Sequence, residues 1–118
     1  MVQFIKKELP KCDTSLLDKP RIWVDFNTPF LDILILPNAD IITNSNGEEI
    51  YLEVGKILSV FDFDVDENNQ PDNLLANGML ILNKTNHYTN FKWLLKIVPH
   101  PIFGKYYWVS DTKQLKNV

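Results

Sequence analysis

The chain has one cysteine, Cys12, one arginine, Arg21, two alanines, Ala39 and Ala76, and two histidines, His87 and His100. A lone cysteine excludes an intramolecular disulfide; without a neighbouring Cys or His pattern it reads as an isolated thiol of a reducing compartment. The scarcity of alanine argues against a helical protein. The four glycines, Gly47, Gly55, Gly78 and Gly104, stand apart, so neither nucleotide-binding fingerprint can form. Hydrolytic schemes need a nucleophile, a base and an orienting group. His87 lies in the turn-like Asn86-His87-Tyr88, His100 lies between two prolines, and neither adjoins a nucleophile elbow. So few scattered nitrogen and sulfur donors also make a poor transition-metal set. No apolar run approaches bilayer length, and the start lacks a charged leader followed by an apolar segment. The expectations are therefore a non-enzyme with no cofactor, no metal and no membrane partner, resident in the cytoplasm.

What is abundant is β-forming. Of 118 residues, 45% are hydrophobic, and Ile, Val, Phe, Tyr and Trp come in short bursts divided by Pro, Asn, Gly and Asp. A first strand is predicted over Arg21–Asn27, with Ile22, Val24 and Phe26 on one face and Arg21, Trp23, Asp25 and Asn27 on the other. A second runs from Phe30 to Leu36, and its near-continuous apolar character predicts burial on both faces or a partner element covering the outer face. Residues 41–45 and 48–54 flank Asn46-Gly47, which predicts a hairpin with a type I′ turn, both central residues at positive φ. Gly55 permits a bulge or bend before a strand over Lys56–Val65. Leu74–Asn83 follows, with Asn77-Gly78 as a bulge or second tight turn. Phe91–Val98 places Phe91, Trp93, Leu95 and Ile97 on one face, and Tyr106–Ser110 closes the series. About seven short antiparallel strands in one domain must close into a barrel or stack as a sandwich. The expected fold is all-β, one domain over residues 1–118, with 1–19 and 111–118 peripheral. The alternative is α+β, with a short helix within Leu9–Lys19.

The net charge of −3 conceals a segregation: residues 1–21 sum to +2, 22–72 to −10 and 73–118 to +5. Asp62-x-Asp64-x-Asp66 imitates the start of a calcium loop, but Glu67 and Asn73 stand where the tight-turn glycine and closing glutamate belong. Strand alternation explains the run more simply, with three aspartates on a solvated face opposite Phe61, Phe63 and Val65. The candidate partner-binding residues are Asp62, Asp64, Asp66, Glu67 and Asp72, with Asp25 and with Trp23 as an aromatic anchor; these suit a basic protein surface. Lys84, Lys92, Lys96 and Lys105 among His87, Tyr88, Phe91, Trp93, Tyr106, Tyr107 and Trp108 leave a nucleic-acid-binding module as an alternative. The overall acidity and the lone arginine speak against it.

The segment Pro20-Arg21-Ile22-Trp23-Val24-Asp25-Phe26-Asn27 resembles the opening strand of small bacterial β proteins. Asn77-Gly78 with the later Phe91-Lys92-Trp93 is similar to their closing hairpin. The overall type resembles immunity proteins that accompany bacterial contact-dependent toxins. That resemblance implies a small cytoplasmic inhibitor that neutralises a cognate toxin, such as a basic nuclease, by covering its surface. It carries no specific functional residue. A non-catalytic adaptor or structural β domain is the other alternative.

Overall fold

The computed structural model describes residues 17–28, 30–84 and 91–116. Cys12, His87, Tyr88 and most of the Leu9–Lys19 segment lie outside them. Among the described residues the regular structure is mostly strands with one small helix, and the main sheet curls into a half-barrel. The elements are β1 (Ile22–Trp23), β2 (Ile33–Ile35), β3 (Ile41–Thr43), β4 (Glu49–Tyr51), β5 (Ile57–Asp62), β6 (Leu74–Leu82), β7 (Trp93–Ile97), β8 (Tyr107–Trp108) and α1 (Val109–Lys116). The main sheet has the order β1-β5-β6-β7-β2, with β8 also on β6, while β3 and β4 form a separate hairpin. β7 pairs with the end of β6 and β8 with its start, both along the edge away from β5.

One pairing departs from the antiparallel expectation. β1 runs parallel to β5, with Ile22 opposite Val60 and Trp23 opposite Phe61. A parallel pair needs a long crossover, and β2 with the β3–β4 hairpin supplies it. Strand alternation then divides the apolar residues between two cores. Ile22, Val24, Leu34, Leu58, Val60, Ala76, Leu80, Trp93, Leu95 and Ile97 form the larger, against which Ile42 and Ile50 of the hairpin pack. Phe61, Leu75, Tyr107 and Val109 form the smaller, with Leu17, Phe63 and Phe103 against it. Val60 and Phe61 are consecutive, as are Leu75 and Ala76, so the cores occupy opposite faces of one sheet.

Arg21 joins the two layers. The only arginine is 1% exposed, a burial that a permanent cation tolerates only when its donors are matched. Nε and NH2 donate to the two oxygens of Asp18 at 2.7 and 3.0 Å. NH1 donates to the carbonyls of Val60 and Ala76 at 3.1 Å each, and NH2 also reaches the Tyr107 hydroxyl at 3.2 Å. Its main chain is fixed as well, because Arg21 N–H donates to Ser45 Oγ and Ser45 N–H donates to Arg21 O. Burial alone would raise the Asp18 carboxyl, but the hydrogen bonds and charge of Arg21 outweigh it and hold it below its ordinary value. Within the 1–19 stretch expected to be peripheral, Leu17 packs against the smaller core and Asp18 is bonded to the buried Arg21.

The turns depart from expectation for local reasons. At Asn46-Gly47 only Gly47 is left-handed, with φ +81°. Asn44 N–H donates to Glu48 O and Gly47 N–H to Asn44 O, which makes a three-residue loop ending on a left-handed glycine instead of a two-residue type I′ turn. The Asn44 side chain favours the longer loop by accepting from Asn46 and Glu48 N–H. The second predicted strand starts late because Asp32 adopts φ 59° and Thr28 Oγ1 accepts from Phe30 N–H, turning the chain before Ile33.

Asn77-Gly78 is neither bulge nor turn. It lies within β6, with Gly78 opposite Leu58 on one side and Ile97 on the other. Gly78 provides space there: a Cβ would fall 2.5 Å from Leu95 Cγ and 2.8 Å from Lys96 O.

The expected strand over Tyr106–Ser110 gives way to a helix at Val109. Helices start with unpaired N–H groups, and here several find acceptors. Asp111 Oδ2 takes Trp108 N–H at 2.9 Å, Asp72 takes Ser110 N–H and Oγ–H at 3.0 and 2.7 Å, and Asn73 O takes Val109 N–H. Carboxylates at this end also oppose the helix dipole. The segment from 111, expected to be peripheral, is therefore helical to Lys116.

Two outcomes follow. Asp18→Ala leaves Arg21 buried without its counterion and lowers the unfolding free energy at neutral pH by about 3–5 kcal/mol, read by urea denaturation. Because the Asp18 pKa is depressed on folding, its contribution is present above the unfolded pKa and fades as pH falls through the folded one, so the two proteins converge in acid. Gly78→Ala lowers stability by about 1–3 kcal/mol through overpacking against Leu95; an unchanged denaturation midpoint would contradict the close approach.

Candidate functional site

Beyond Asp62 and Leu74 the β5–β6 hairpin continues as a two-stranded ribbon. Asp72 N–H donates to Asp64 O, Val65 lies opposite Pro71, and Asp66 N–H donates to Gln70 O. Asn69, with φ 60°, turns the tip. This ribbon carries Asp62, Asp64, Asp66, Glu67 and Asp72. Trp23 flanks its base from β1, opposite Phe61, and Trp108 flanks it from β8, opposite Leu74. Strand alternation puts Trp23 on the Phe61 face and Trp108 on the Asp62 face.

The carboxylates are not equivalent members of one solvated row. Asp62 is half-buried: Oδ1 accepts the Trp23 indole N–H at 3.0 Å and Phe63 N–H at 2.8 Å, and Oδ2 accepts Phe26 N–H at 3.0 Å. Burial raises its pKa, outweighing these hydrogen bonds, and the nearby charge of Asp25 adds to the rise. Asp64 Oδ2 accepts the Trp108 indole N–H at 2.8 Å. Asp66 Oδ1 organises the ribbon tip by accepting from Asn68 and Gln70 N–H. Asp72 caps α1. Asp25 accepts Asn27 N–H, and both Asp25 and Glu67 are exposed.

The seven residues expected from the sequence therefore lie on the ribbon or beside its base, at one end of the β5–β6 hairpin, and each aspartate among them orients a named donor. Among the described residues, ion pairs join Arg21 to Asp18, Lys92 to Asp40 and Lys105 to Asp32, and none involves a carboxylate of this end. Trp23 is 51% exposed and Trp108 41%. The Trp23 ring lies 6.5 Å from that of Phe63, so it both covers the second core and meets solvent.

Trp108 is the member that the sequence placed elsewhere, among the basic and aromatic residues. No local signal links it to Asp64, which lies 44 positions away. The basic set is divided by the fold. Trp93 and Tyr107 are buried, Lys92 donates to Asp40 at 2.8 Å and Lys105 to Asp32 at 2.6 Å. His100 Nδ1 accepts from Ile102 and Phe103 N–H, closing the turn that ends at Gly104.

Among the described residues no group of three or more His, Cys, Asp or Glu side chains could hold a metal ion, and no helix is long and apolar enough to cross a membrane. Comparison of the chain with family models, curated proteins and solved structures gives no match.

The raised pKa of Asp62 gives a pH dependence opposite in sign to that of Asp18. Its ionised form opposes folding above the folded pKa, and that opposition is relieved as pH falls through it. Wild-type protein should gain stability relative to Asp62→Asn on acidification from neutral pH, in paired urea titrations. A relative loss would contradict the burial of this carboxylate.

Proposed function

We propose that the chain is a non-catalytic binding protein of the immunity type, which inhibits a basic bacterial toxin by occluding its surface with the acidic end of the β5–β6 ribbon. One observation carries this reading. Two half-exposed tryptophans flank the ribbon, and each indole N–H is held by an aspartate of that ribbon.

Tryptophan is among the side chains that most often dominate binding energy. Immobilising a flexible side chain at an interface costs about 0.5–1.5 kcal/mol, and Asp62 and Asp64 reduce that cost by orienting both rings beforehand. The surrounding carboxylates have no cationic partner among the described residues. They are available to lysine and arginine of a partner, where complementarity increases association rate and specificity. Because the rings lie on opposite faces of the ribbon, a partner that touches both clasps the ribbon from its end. A concave basic surface, such as the cleft of a nuclease, has that shape. The proposed compartment is the cytoplasm, where such an inhibitor would meet its toxin.

The test starts with affinity capture of a stoichiometric partner from the source cells. Its association is then measured at low and physiological salt for wild type and for the Asp25→Lys, Glu67→Lys double variant. Both side chains are exposed and neither holds the helix or a tryptophan, so the fold should persist by circular dichroism. Association of wild type should fall with salt, and the variant should associate about tenfold more slowly or worse at low salt. A partner bound equally by both proteins, independently of salt, would refute the acidic end as the contact surface.

A further inference from the structure

Two Asn-Gly pairs occur in the chain, Asn46-Gly47 and Asn77-Gly78, and the fold treats them oppositely. We propose that Asn46 is a site of spontaneous covalent modification, deamidation through a cyclic imide, and that the fold withholds the same chemistry from Asn77.

The reaction is intramolecular and needs only water. The main-chain nitrogen of Gly47 loses its proton to solvent base and bonds to Asn46 Cγ. The Cγ–Nδ2 bond breaks and the amide nitrogen leaves as ammonia. Water then opens the five-membered imide at either carbonyl, giving aspartate or isoaspartate. Glycine as the following residue places no Cβ in the path of ring closure.

At Asn46 the fold leaves the reacting groups accessible. Asn46 and Gly47 are exposed at the hairpin tip, and no hydrogen bond from the Asn46 side-chain amide to a described residue is present. Ring closure requires the Gly47 N–H bond to Asn44 O, 3.0 Å, to open. That bond lies at a surface turn, where local opening costs little.

At Asn77 both ends of the side chain are held. Nδ2 donates to the Tyr107 hydroxyl at 3.1 Å, and Oδ1 accepts from Arg21 NH1 at 3.4 Å. Val98 N–H donates to the Asn77 carbonyl. Gly78 is flanked by β5 and β7, with Leu95 and Lys96 packed against its Cα. The peptide cannot rotate toward Cγ without opening the central strand, which approaches the cost of global unfolding.

The product changes the molecule where the hairpin meets Arg21. Either outcome adds a negative charge beside Glu48 and Glu49. Isoaspartate also lengthens the main chain by one methylene, next to the Ser45 that brackets Arg21.

Purified protein is incubated in mildly alkaline buffer, native and in parallel in concentrated urea, then digested and analysed by liquid chromatography and mass spectrometry. Native protein should yield the Asn46 peptide heavier by about one dalton, as two separable products of equal mass. The Asn77 peptide should react at least about tenfold more slowly, because each 1.4 kcal/mol of opening free energy is a factor of ten. In urea the two rates should converge. Equal rates in the native protein, an unreacted Asn46, or a disparity that persists in urea would each overturn the proposal. Asn46→Gln should abolish the fast event and leave the slow rate at Asn77 unchanged; a fast event that survives this substitution would place the reaction elsewhere.

Discussion

A buried guanidinium cannot shed its charge, so every segment near Arg21 is constrained by the need to satisfy it. The five N–H donors draw on Asp18, on Tyr107 and on the carbonyls of Val60 and Ala76. These acceptors lie before β1 and on β5, β6 and β8. The Arg21 main chain adds the tip of the β3–β4 hairpin through Ser45. Burial would pull the guanidinium pKa down, yet the hydrogen bonds and charge of Asp18 and Tyr107 carry it above its ordinary value. Such a cluster adds little net stability over well-packed apolar side chains of similar volume, because desolvating the charges offsets their attraction. What it does impose is register, because five acceptors from four segments, three of them distant in sequence, fit one planar fork in one arrangement.

The acidic end depends on that arrangement. Tyr107 accepts from Arg21 and from Asn77 Nδ2, which helps to hold β8 beside the start of β6. Trp108 follows directly and delivers its indole N–H to Asp64. One residue later the chain enters α1, whose first amides are taken by Asn73 and Asp72 at the end of the same ribbon. On the other side β1 carries Trp23 from Arg21 to Asp62. The features proposed to meet a partner are thus fastened from both flanks by the residues that surround one buried cation.

Much of the β architecture was legible because alternation and turn chemistry are local. Leu74–Asn83 and Phe91–Val98 correspond closely to β6 and β7, and Trp93, Leu95 and Ile97 share a buried face as their spacing requires. The nearness of Asp62, Asp64, Asp66, Glu67 and Asp72 in sequence was visible, but only the ribbon pairing of Asp64 with Asp72 and Asp66 with Gln70 brings its two arms together. The individual tasks were not visible. A period of two assigns Asp62 to the same solvated face as Asp64 and Asp66, whereas the exit of β1 desolvates it. The Asn77-Gly78 dipeptide carries turn chemistry, yet strands on both flanks keep it extended and Leu95 takes the space a side chain would need.

The sequence by itself determined a β-rich fold with acidic residues concentrated between Asp62 and Asp72, because composition and alternation act over a few residues. Tertiary structure alone decided that Arg21 is buried, that β1 runs parallel to β5, that Val109 begins a helix and that Trp108 meets Asp64. Each of these rests on a hydrogen bond or strand pairing between segments tens of residues apart. Local pattern carries no term for such a contact, and the desolvation of a polar group is set by whatever the fold places against it.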